Sequence, residues 1–196
     1  PALKLSYPEQ RVYTSTINSQ TLTSTSSDTL KALSLISVSG YVGDKSGNKL
    51  NNFNGVVYPT VFDKEATVYT LANDPTSNVM SFVLQKNIIY KGKSEVKNGE
   101  FTFSFLVPKD ITYNFGKGKF SYYAHNGIND ANGYYDKLVV GGSNANALLD
   151  NQGPNINLFM NDNKFVNGGI TNENPKIYAE IKDVSGINTI GTGIGH

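Results

Sequence analysis

The sequence has no cysteine, no tryptophan and only two histidines, His125 and His196. Without cysteine there can be no disulfide, no thiolate nucleophile and no thiolate metal site. The two histidines lie in different predicted units, and no serine in a nucleophile-elbow pattern lies near either of them, so a catalytic base and its orienting partner are missing. The sequence therefore predicts a chain without a catalytic site and without a cofactor.

Runs of one charge sign and long apolar stretches are absent as well. The chain carries 17 lysine and arginine residues against 16 aspartate and glutamate residues, a net charge of +1. Nucleic-acid-binding proteins usually carry a basic stripe, so the scattered lysines predict no nucleic-acid partner. No apolar run approaches the length that crosses a bilayer, and we expect no membrane-spanning segment. The abundance of asparagine, serine, threonine and tyrosine favours an exported protein.

What the sequence does contain is an alternation of apolar and polar residues with a period of two, which is typical of half-buried strands. No stretch of a dozen residues keeps the spacing of an amphipathic helix, so the fold is predicted to be all-β. Pro59 lies inside one predicted strand and indicates an edge position or a bulge there. The predicted strands are 11–17, 33–42, 56–62, 66–71, 79–84, 88–90, 94–97, 100–107, 119–124, 134–140, 155–160 and 176–181.

The clearest local signal is the dipeptide Asn98-Gly99 between two alternating runs. Both central residues of a type I′ turn need a positive φ, which asparagine tolerates and glycine adopts freely, so a β-hairpin is predicted here. The strand after the turn places Phe101, Phe103, Phe105 and Val107 on one side. Three aromatic rings on one face predict that this face belongs to the core.

A polar, turn-prone stretch separates two groups of predicted strands. Residues 9–141 contain enough strands for an immunoglobulin-like β-sandwich, a fold that needs about 100 residues. Residues 142–153 are small and polar, and we interpret them as a linker. Residues 154–196 are too short for a second sandwich and are predicted to be the beginning of one. Because the chain lacks a starting methionine and ends on a glycine-rich run, we expect it to be an excerpt of a longer protein.

The stretch from Asn126 to Asp136 concentrates side-chain oxygens, the ligands that Ca²⁺ prefers. Asp130, Asn132 and Asp136 are the candidate ligands. Their spacing does not match an EF-hand loop, because the glycine falls too early and the closing glutamate is missing. The favoured interpretation is that asparagine and aspartate side chains in this stretch form Asx-turns before the last strand of the sandwich.

Two adjacent tyrosine pairs, Tyr122-Tyr123 and Tyr134-Tyr135, suggest an alternative function as a carbohydrate-binding module. Neighbouring residues of a strand point to opposite faces, so one tyrosine of each pair is predicted to be buried and the other exposed. Such a module would need at least two exposed rings that are roughly coplanar. A further alternative is an adhesin-like subunit, which would need an open sheet edge that accepts a donor strand.

The tripeptide Asp28-Thr29-Leu30 resembles the aspartate-threonine-aliphatic site of O-glycosylation on exported proteins of Bacteroidota. Thr29 is therefore a candidate modification site. The alternative interpretation is an ordinary polar loop that leads into the strand predicted from Leu33.

Several phrases of the sequence resemble one family. The opening PALKLSYP at 1–8 resembles the segment that closes the catalytic domain of gingipain-family (C25) cysteine peptidases. The phrases FNGVVYPTVFDK at 53–64, GEFTFSFLVPKDI at 99–111, DANGYY at 130–135 and NENP at 172–175 resemble the region after that domain in the family members that are type IX secretion sortases of Bacteroidota. The likeness spans nearly the whole chain.

The resemblance implies a cell-surface cysteine peptidase that removes the sorting domain of exported cargo and helps attach the cargo to an anionic surface lipopolysaccharide. Its catalytic residues belong to the domain before Pro1, so residues 1–8 are the tail of that domain and no catalytic residue is transferred to this chain. The implied partners are the upstream catalytic domain in the same chain and outer-membrane secretion components, at the surface of a Gram-negative bacterium. The leading hypothesis is a structural or docking segment.

Overall fold

The computed structural model describes residues 7–23, 28–147 and 152–183, and all the regular secondary structure in these ranges is β-strand. None of these residues belongs to a helix that could cross a membrane. The strands are β1 Gln10–Ile17, β2 Gln20–Thr21, β3 Asp28–Ala32, β4 Leu35–Gly43, β5 Gly55–Phe62, β6 Ala66–Tyr69, β7 Ser81–Leu84, β8 Ile88–Lys91, β9 Ser94–Val96, β10 Glu100–Leu106, β11 Gly116–His125, β12 Asp130–Ser143, β13 Asn155–Met160 and β14 Ile177–Lys182.

Most strands before residue 145 form the two layers of a β-sandwich. The first layer has the order β10-β4-β1 and the second the order β12-β11-β5-β8, with β3 beside β12 and β9 beside β5. The layers are joined where β1 runs parallel to β12 for two residue pairs, Gln10 with Ala131 and Arg11 with Asn132. This is the strand arrangement of immunoglobulin-like folds, in which the A, B and E strands face the C, F and G strands. The predicted fold class is confirmed.

The aromatic face of β10 lies in the core, as predicted. Phe101, Phe103, Phe105 and Val107 are all buried. The rings of Phe101 and Phe103 contact Tyr122 of β11 in the opposite layer, at centroid distances of 5.7 and 6.4 Å. Because β10 and β11 share no hydrogen bonds, these ring contacts hold the two layers together across the core.

The Asn98-Gly99 turn has the predicted backbone, with φ of 49° and 78° at the two residues. The prediction that its two arms form a regular hairpin is only partly right. Lys97 and Glu100 exchange both backbone hydrogen bonds, and farther from the turn the arms are linked by the Ser94 hydroxyl, which donates to the Thr102 carbonyl at 2.7 Å. Strand β9 then pairs with β5 of the second layer and β10 with β4 of the first. The turn therefore connects the two layers, which local alternation cannot reveal.

Strand β3 is absent from the predicted strands, and the alternative interpretation of Asp28-Thr29-Leu30 as a polar loop leading into a strand from Leu33 is wrong. The structure has a break at Leu33, where φ is 63°, and β4 begins at Leu35. Strand β3 lies parallel to β12 and buries Leu30 and Ala32. Two apolar residues in a polar stretch are too few for an alternating pattern that predicts a strand. The segment is a strand because it pairs with β12, which is distant in the sequence.

Pro59 lies inside the second layer, where the neighbour of β5 changes from β9 to β8. Its carbonyl oxygen accepts a hydrogen bond of 3.0 Å from the backbone N–H of Gly92, between those two strands. In an antiparallel strand the N–H and C=O of one residue point to the same side. The position where Pro59 lacks an N–H therefore faces the gap between β9 and β8, and the pairing of β5 with β11 loses no hydrogen bond.

The chain divides between Ala145 and Asn146 into two compact units, a boundary inside the stretch predicted as a linker. In the described part of the second unit, β13 and β14 form an antiparallel hairpin and no residue is fully buried. One face of this hairpin is entirely apolar, with Ile156, Leu158, Met160, Ile177, Ala179 and Ile181 as cross-strand partners. A sheet with one apolar and one mostly polar face is typical of one layer of a sandwich.

Candidate functional surfaces

Of the two histidines, the structure describes His125. His125 lies near the end of β11 and stacks on Tyr58, with ring centroids 5.8 Å apart. His196 lies outside the described residues. The position of His125 is that of an aromatic neighbour on a sheet surface.

The three candidate cation ligands are strand residues, although a loop was predicted for this region. The connection between β11 and β12 consists of residues 126–129 alone, and Asp130, Asn132 and Asp136 all belong to β12. A strand rises about 3.3 Å per residue, so Asp130 and Asp136 lie roughly 20 Å apart along it. The Oδ1 atom of Asn132 accepts a hydrogen bond from the Arg11 guanidinium. The structure therefore does not bring the three side chains together.

The predicted Asx-turn is present at the start of the same connection. The Oδ1 atom of Asn126 accepts hydrogen bonds from the backbone N–H groups of Ile128 and Asn129, at 3.0 and 2.8 Å. The oxygen-rich composition of this stretch thus serves the turn between β11 and β12.

Thr29, the candidate O-glycosylation site, is an exposed residue of β3 paired with Val139 of β12. Its neighbour Leu30 is fully buried, and burial raises the pKa of the Asp28 carboxyl. The hydroxyl of Thr29 is accessible, and its modification remains a prediction.

The tyrosine pairs are oriented as predicted. Tyr122 is buried and Tyr123 is 43% exposed, whereas Tyr134 is 70% exposed and Tyr135 packs against the core. The Tyr122 hydroxyl forms a 2.9 Å hydrogen bond with Thr14, and burial raises the pKa of its phenol. The exposed members alone do not form a pair of stacked rings.

An aromatic cluster that the sequence did not predict forms on the outer face of the second layer. Tyr58 of β5 lies directly opposite Tyr123 of β11, with ring centroids 6.3 Å apart and planes inclined by 28°. His125 completes the cluster, and Lys91, Ile128 and Asp130 surround it in an open depression of about 590 Å³. Desolvation, and then the nearby Asp130 carboxylate, raise the pKa of Tyr123. We call these three rings the aromatic cluster.

A second open depression, of about 810 Å³, lies beside the junction of β1 and β12. Its described lining contains three cationic side chains, Arg11, Lys45 and Lys119, and no carboxylate. Three tyrosines, Tyr13, Tyr122 and Tyr134, also contribute to it. Both depressions are therefore lined by aromatic side chains, and the one beside the junction of β1 and β12 has an excess of positive charge.

The largest departure from the predicted sandwich is the hairpin of β6 and β7. These strands were expected to continue the sandwich, but they pair only with each other, in the register Ala66 with Leu84 through Tyr69 with Ser81. Large apolar side chains of this hairpin and its tip are exposed: Tyr69, Leu71, Val79, Met80, Phe82, Val83 and Leu84. We call residues 66–84 the apolar arm. The near absence of charged residues in this segment could have indicated that it differs from the other predicted strands. Alternation with a period of two does not take charge into account.

A buried ion pair holds the base of the apolar arm. The Asp63 side chain is 3% exposed, and its Oδ1 atom accepts hydrogen bonds of 2.8 Å from both the Nζ and the backbone N–H of Lys64. At the other end of the arm, Gln85 donates to the Asp63 carbonyl at 2.8 Å and to the Lys117 carbonyl at 3.3 Å. Gln85 therefore links the two ends of the arm to each other and to the start of β11.

No protein-family model matches the chain, and no curated protein matches it. Among solved structures, the chain is similar to part of dimeric latent PorU from Porphyromonas gingivalis, with 30% sequence identity and a TM-score of 0.73. The match covers 99% of this chain and 18% of that chain, so this chain spans less than a fifth of the length of the PorU polypeptide. The agreement supports a relation between this chain and one segment of PorU.

Proposed function

We propose that this chain is a non-catalytic structural or docking segment of a cell-surface, gingipain-like cysteine peptidase of the PorU type, the type IX secretion sortase that removes sorting domains from cargo. The observation that carries the proposal is the similarity to PorU over 99% of the chain, at 30% identity and a TM-score of 0.73. The cysteine-free composition is in keeping with it, because the nucleophile would then belong to another part of the protein.

The geometry supports a docking role, since each unit presents apolar surface to solvent. In the first unit the surface is the apolar arm, and in the second it is the face of β13 and β14 that carries Ile156, Leu158 and Ile177. Exposed apolar patches of this kind mark protein contacts. The proposed partners are the catalytic domain upstream in the same polypeptide and outer-membrane secretion components at the cell surface.

The proposal is tested in the full-length protein by deleting residues 9–145. We expect cleavage of the cargo sorting domain to be lost while the peptidase domain keeps its circular dichroism spectrum and melting transition. A full-length protein without its nucleophilic cysteine defines the inactive baseline. Cargo cleavage and surface location that both survive the deletion would contradict a docking role.

A second candidate function is a carbohydrate-binding module, and the aromatic cluster is the observation that favours it. Tyr58 and Tyr123 are inclined by only 28° and lie beside Lys91 and Asp130, as in sites where a sugar ring packs on aromatic side chains and is oriented by polar groups. Calorimetric titration with bacterial surface polysaccharide would detect binding that Tyr123→Ala abolishes and that Tyr113→Ala, at another exposed tyrosine, leaves unchanged. Absence of binding by the unmodified chain would reject this candidate.

A further inference from the structure

Three cationic side chains, Arg11, Lys45 and Lys119, line the depression beside the junction of β1 and β12, which we call the cationic depression. The ion pairs found among the described residues use other lysines, namely Lys49, Lys64, Lys97 and Lys182. In the described part of the chain, no ion pair includes a cation of the depression. The three positive charges are therefore available to an anionic ligand.

Two of these cations are held in place by neutral groups. The Arg11 guanidinium donates to the carbonyl oxygen of Pro8 at 3.3 Å and to the Oδ1 atom of Asn132. The Lys119 ammonium lies 4.9 Å from the centre of the Phe62 ring. A carbonyl, an amide and an aromatic ring orient a cation without neutralising its charge. Both side chains are thus positioned before an anion binds, which lowers the entropy cost of binding.

The third cation, Lys45, lies on a turn whose backbone is fixed by hydrogen bonds. The Asp44 carboxylate accepts bonds of 2.8 and 2.9 Å from the backbone N–H groups of Ser46 and Asn48. The Tyr13 hydroxyl of β1 donates to the Asp44 carbonyl at 2.8 Å. These bonds direct the Asp44 carboxylate into its own turn and fix the backbone that carries the exposed Lys45 side chain.

The held cations are spread along the surface. Arg11 pairs with Asn132 of β12, which lies opposite Tyr123 of β11. Lys119 lies about 13 Å from Tyr123 along β11, since a strand rises about 3.3 Å per residue. Because Arg11 is bound to Asn132 and Lys119 lies over Phe62 of β5, their charges form separate contacts. A ligand that satisfies both therefore carries at least two acidic groups.

The tyrosines of the cationic depression favour a peptide over a sugar ring. Tyr13 stacks on Tyr41, with ring centroids 5.1 Å apart, and Tyr122 is buried. Tyr134, at 70%, is the strongly exposed ring of the described lining. A sugar platform would need a second such ring beside it. Tyrosine and arginine are instead enriched where proteins bind each other, and acidic motifs are recognised by basic side chains.

We propose that the cationic depression binds an acidic peptide segment of a partner protein, with at least two carboxylates that contact Arg11 and Lys119. Lys45 adds a third positive charge to the same surface. The inference rests on the proposed docking role and names the chemistry of one docking partner. Because charge rather than apolar burial carries this contact, its affinity falls as the ionic strength rises.

The experiment measures binding of a fluorescently labelled synthetic peptide, in which glutamate and glycine alternate, to the full-length protein. A matched peptide has glutamine in place of glutamate. Arg11→Gln, Lys45→Gln and Lys119→Gln each remove one charge from the depression, and Lys109→Gln removes the same charge at an exposed lysine after β10. Circular dichroism checks the folding of each variant. Lys45→Gln lies in an exposed turn and keeps the test decisive if another variant does not fold.

We expect each depression variant to raise the dissociation constant of the glutamate peptide roughly twofold to fivefold, as for partly exposed charge pairs. Lys109→Gln should leave it unchanged. Equal binding of the glutamine peptide, or an equal loss in Lys109→Gln, would overturn the site. Binding of polygalacturonate, an acidic polysaccharide, that the same variants lose while the glutamate peptide does not bind would overturn the peptide in favour of a saccharide.

Peptide binding is measured without reference to cargo cleavage, so the two proposals can fail separately. Cargo cleavage and surface location that survive the deletion of residues 9–145 would contradict the docking role, whatever the peptide does. Loss of cleavage in that deletion, together with no binding of the glutamate peptide, would keep the docking role and reject the acidic partner.

Discussion

Phe103 lies at the centre of the ring contacts that connect the two layers of the sandwich. It is 6% exposed, and it stacks on Tyr90, Phe101 and Phe105 at centroid distances of 5.8, 6.3 and 6.1 Å. Its edge contact with Tyr122 crosses to the opposite layer. Replacing this ring by a methyl group therefore removes four aromatic contacts and leaves a cavity between the layers.

Truncation of a buried phenylalanine to alanine costs about 3 to 5 kcal/mol, from lost transfer free energy and from the cavity. Because each aromatic pair adds about 0.5 to 1.5 kcal/mol beyond area burial, we expect Phe103→Ala to lie in the upper half of that range. For a chain of this size, 4 kcal/mol corresponds to a fall of roughly 8 to 16 °C in the melting temperature.

The assay is urea unfolding of the 196-residue chain, followed by circular dichroism. Phe115→Ala is the matched control, because Phe115 is 67% exposed and its truncation should change the free energy of unfolding by less than about 0.5 kcal/mol. If Phe103→Ala were as mild as this control, the two layers could not be packed on each other through β10.

Three further predictions concern the turns, the arm and the pH dependence. Gly99→Ala should lower the melting temperature of the chain more than Gly47→Ala does. Both glycines have a positive φ, but a Cβ at Gly99 would lie 2.5 Å from the Leu50 carbonyl oxygen, whereas a Cβ at Gly47 would have no atom within 4 Å. Asp63→Ala should cost about 3 to 5 kcal/mol in urea unfolding, because it leaves the Lys64 ammonium, which is 14% exposed, without its partner; an equal loss in the double variant Asp63→Ala with Lys64→Met, in which no charge is left unpaired, would contradict this cause. Burial raises the pKa of Asp28 above 3.8, so its contribution to stability is largest below that pH and declines as the pH rises through the folded value. Asp28→Asn should therefore gain stability relative to the unmodified chain between pH 4 and pH 7, and unfolding curves that keep a constant difference would refute this.

The all-β class, the aromatic face of β10 and the Asn98-Gly99 turn could be predicted because each depends on residues close together in the sequence. Strand β3 could not, because Asp28–Ala32 becomes a strand only beside β12. The aromatic cluster could not be predicted either, since Tyr58 and Tyr123 meet only through the register of β5 on β11.

The sequence by itself determined which residues alternate, which faces are apolar and where the chain turns, because backbone sterics and the period of two act locally. Only the tertiary structure decided which strands are neighbours, and this choice depends on closing long loops and filling one core. For that reason Asp130 and Asp136, close in sequence, lie apart along one strand, while Tyr58, Tyr123 and His125 meet on one surface. The same choice leaves the apolar arm outside the sandwich, with its large apolar side chains exposed.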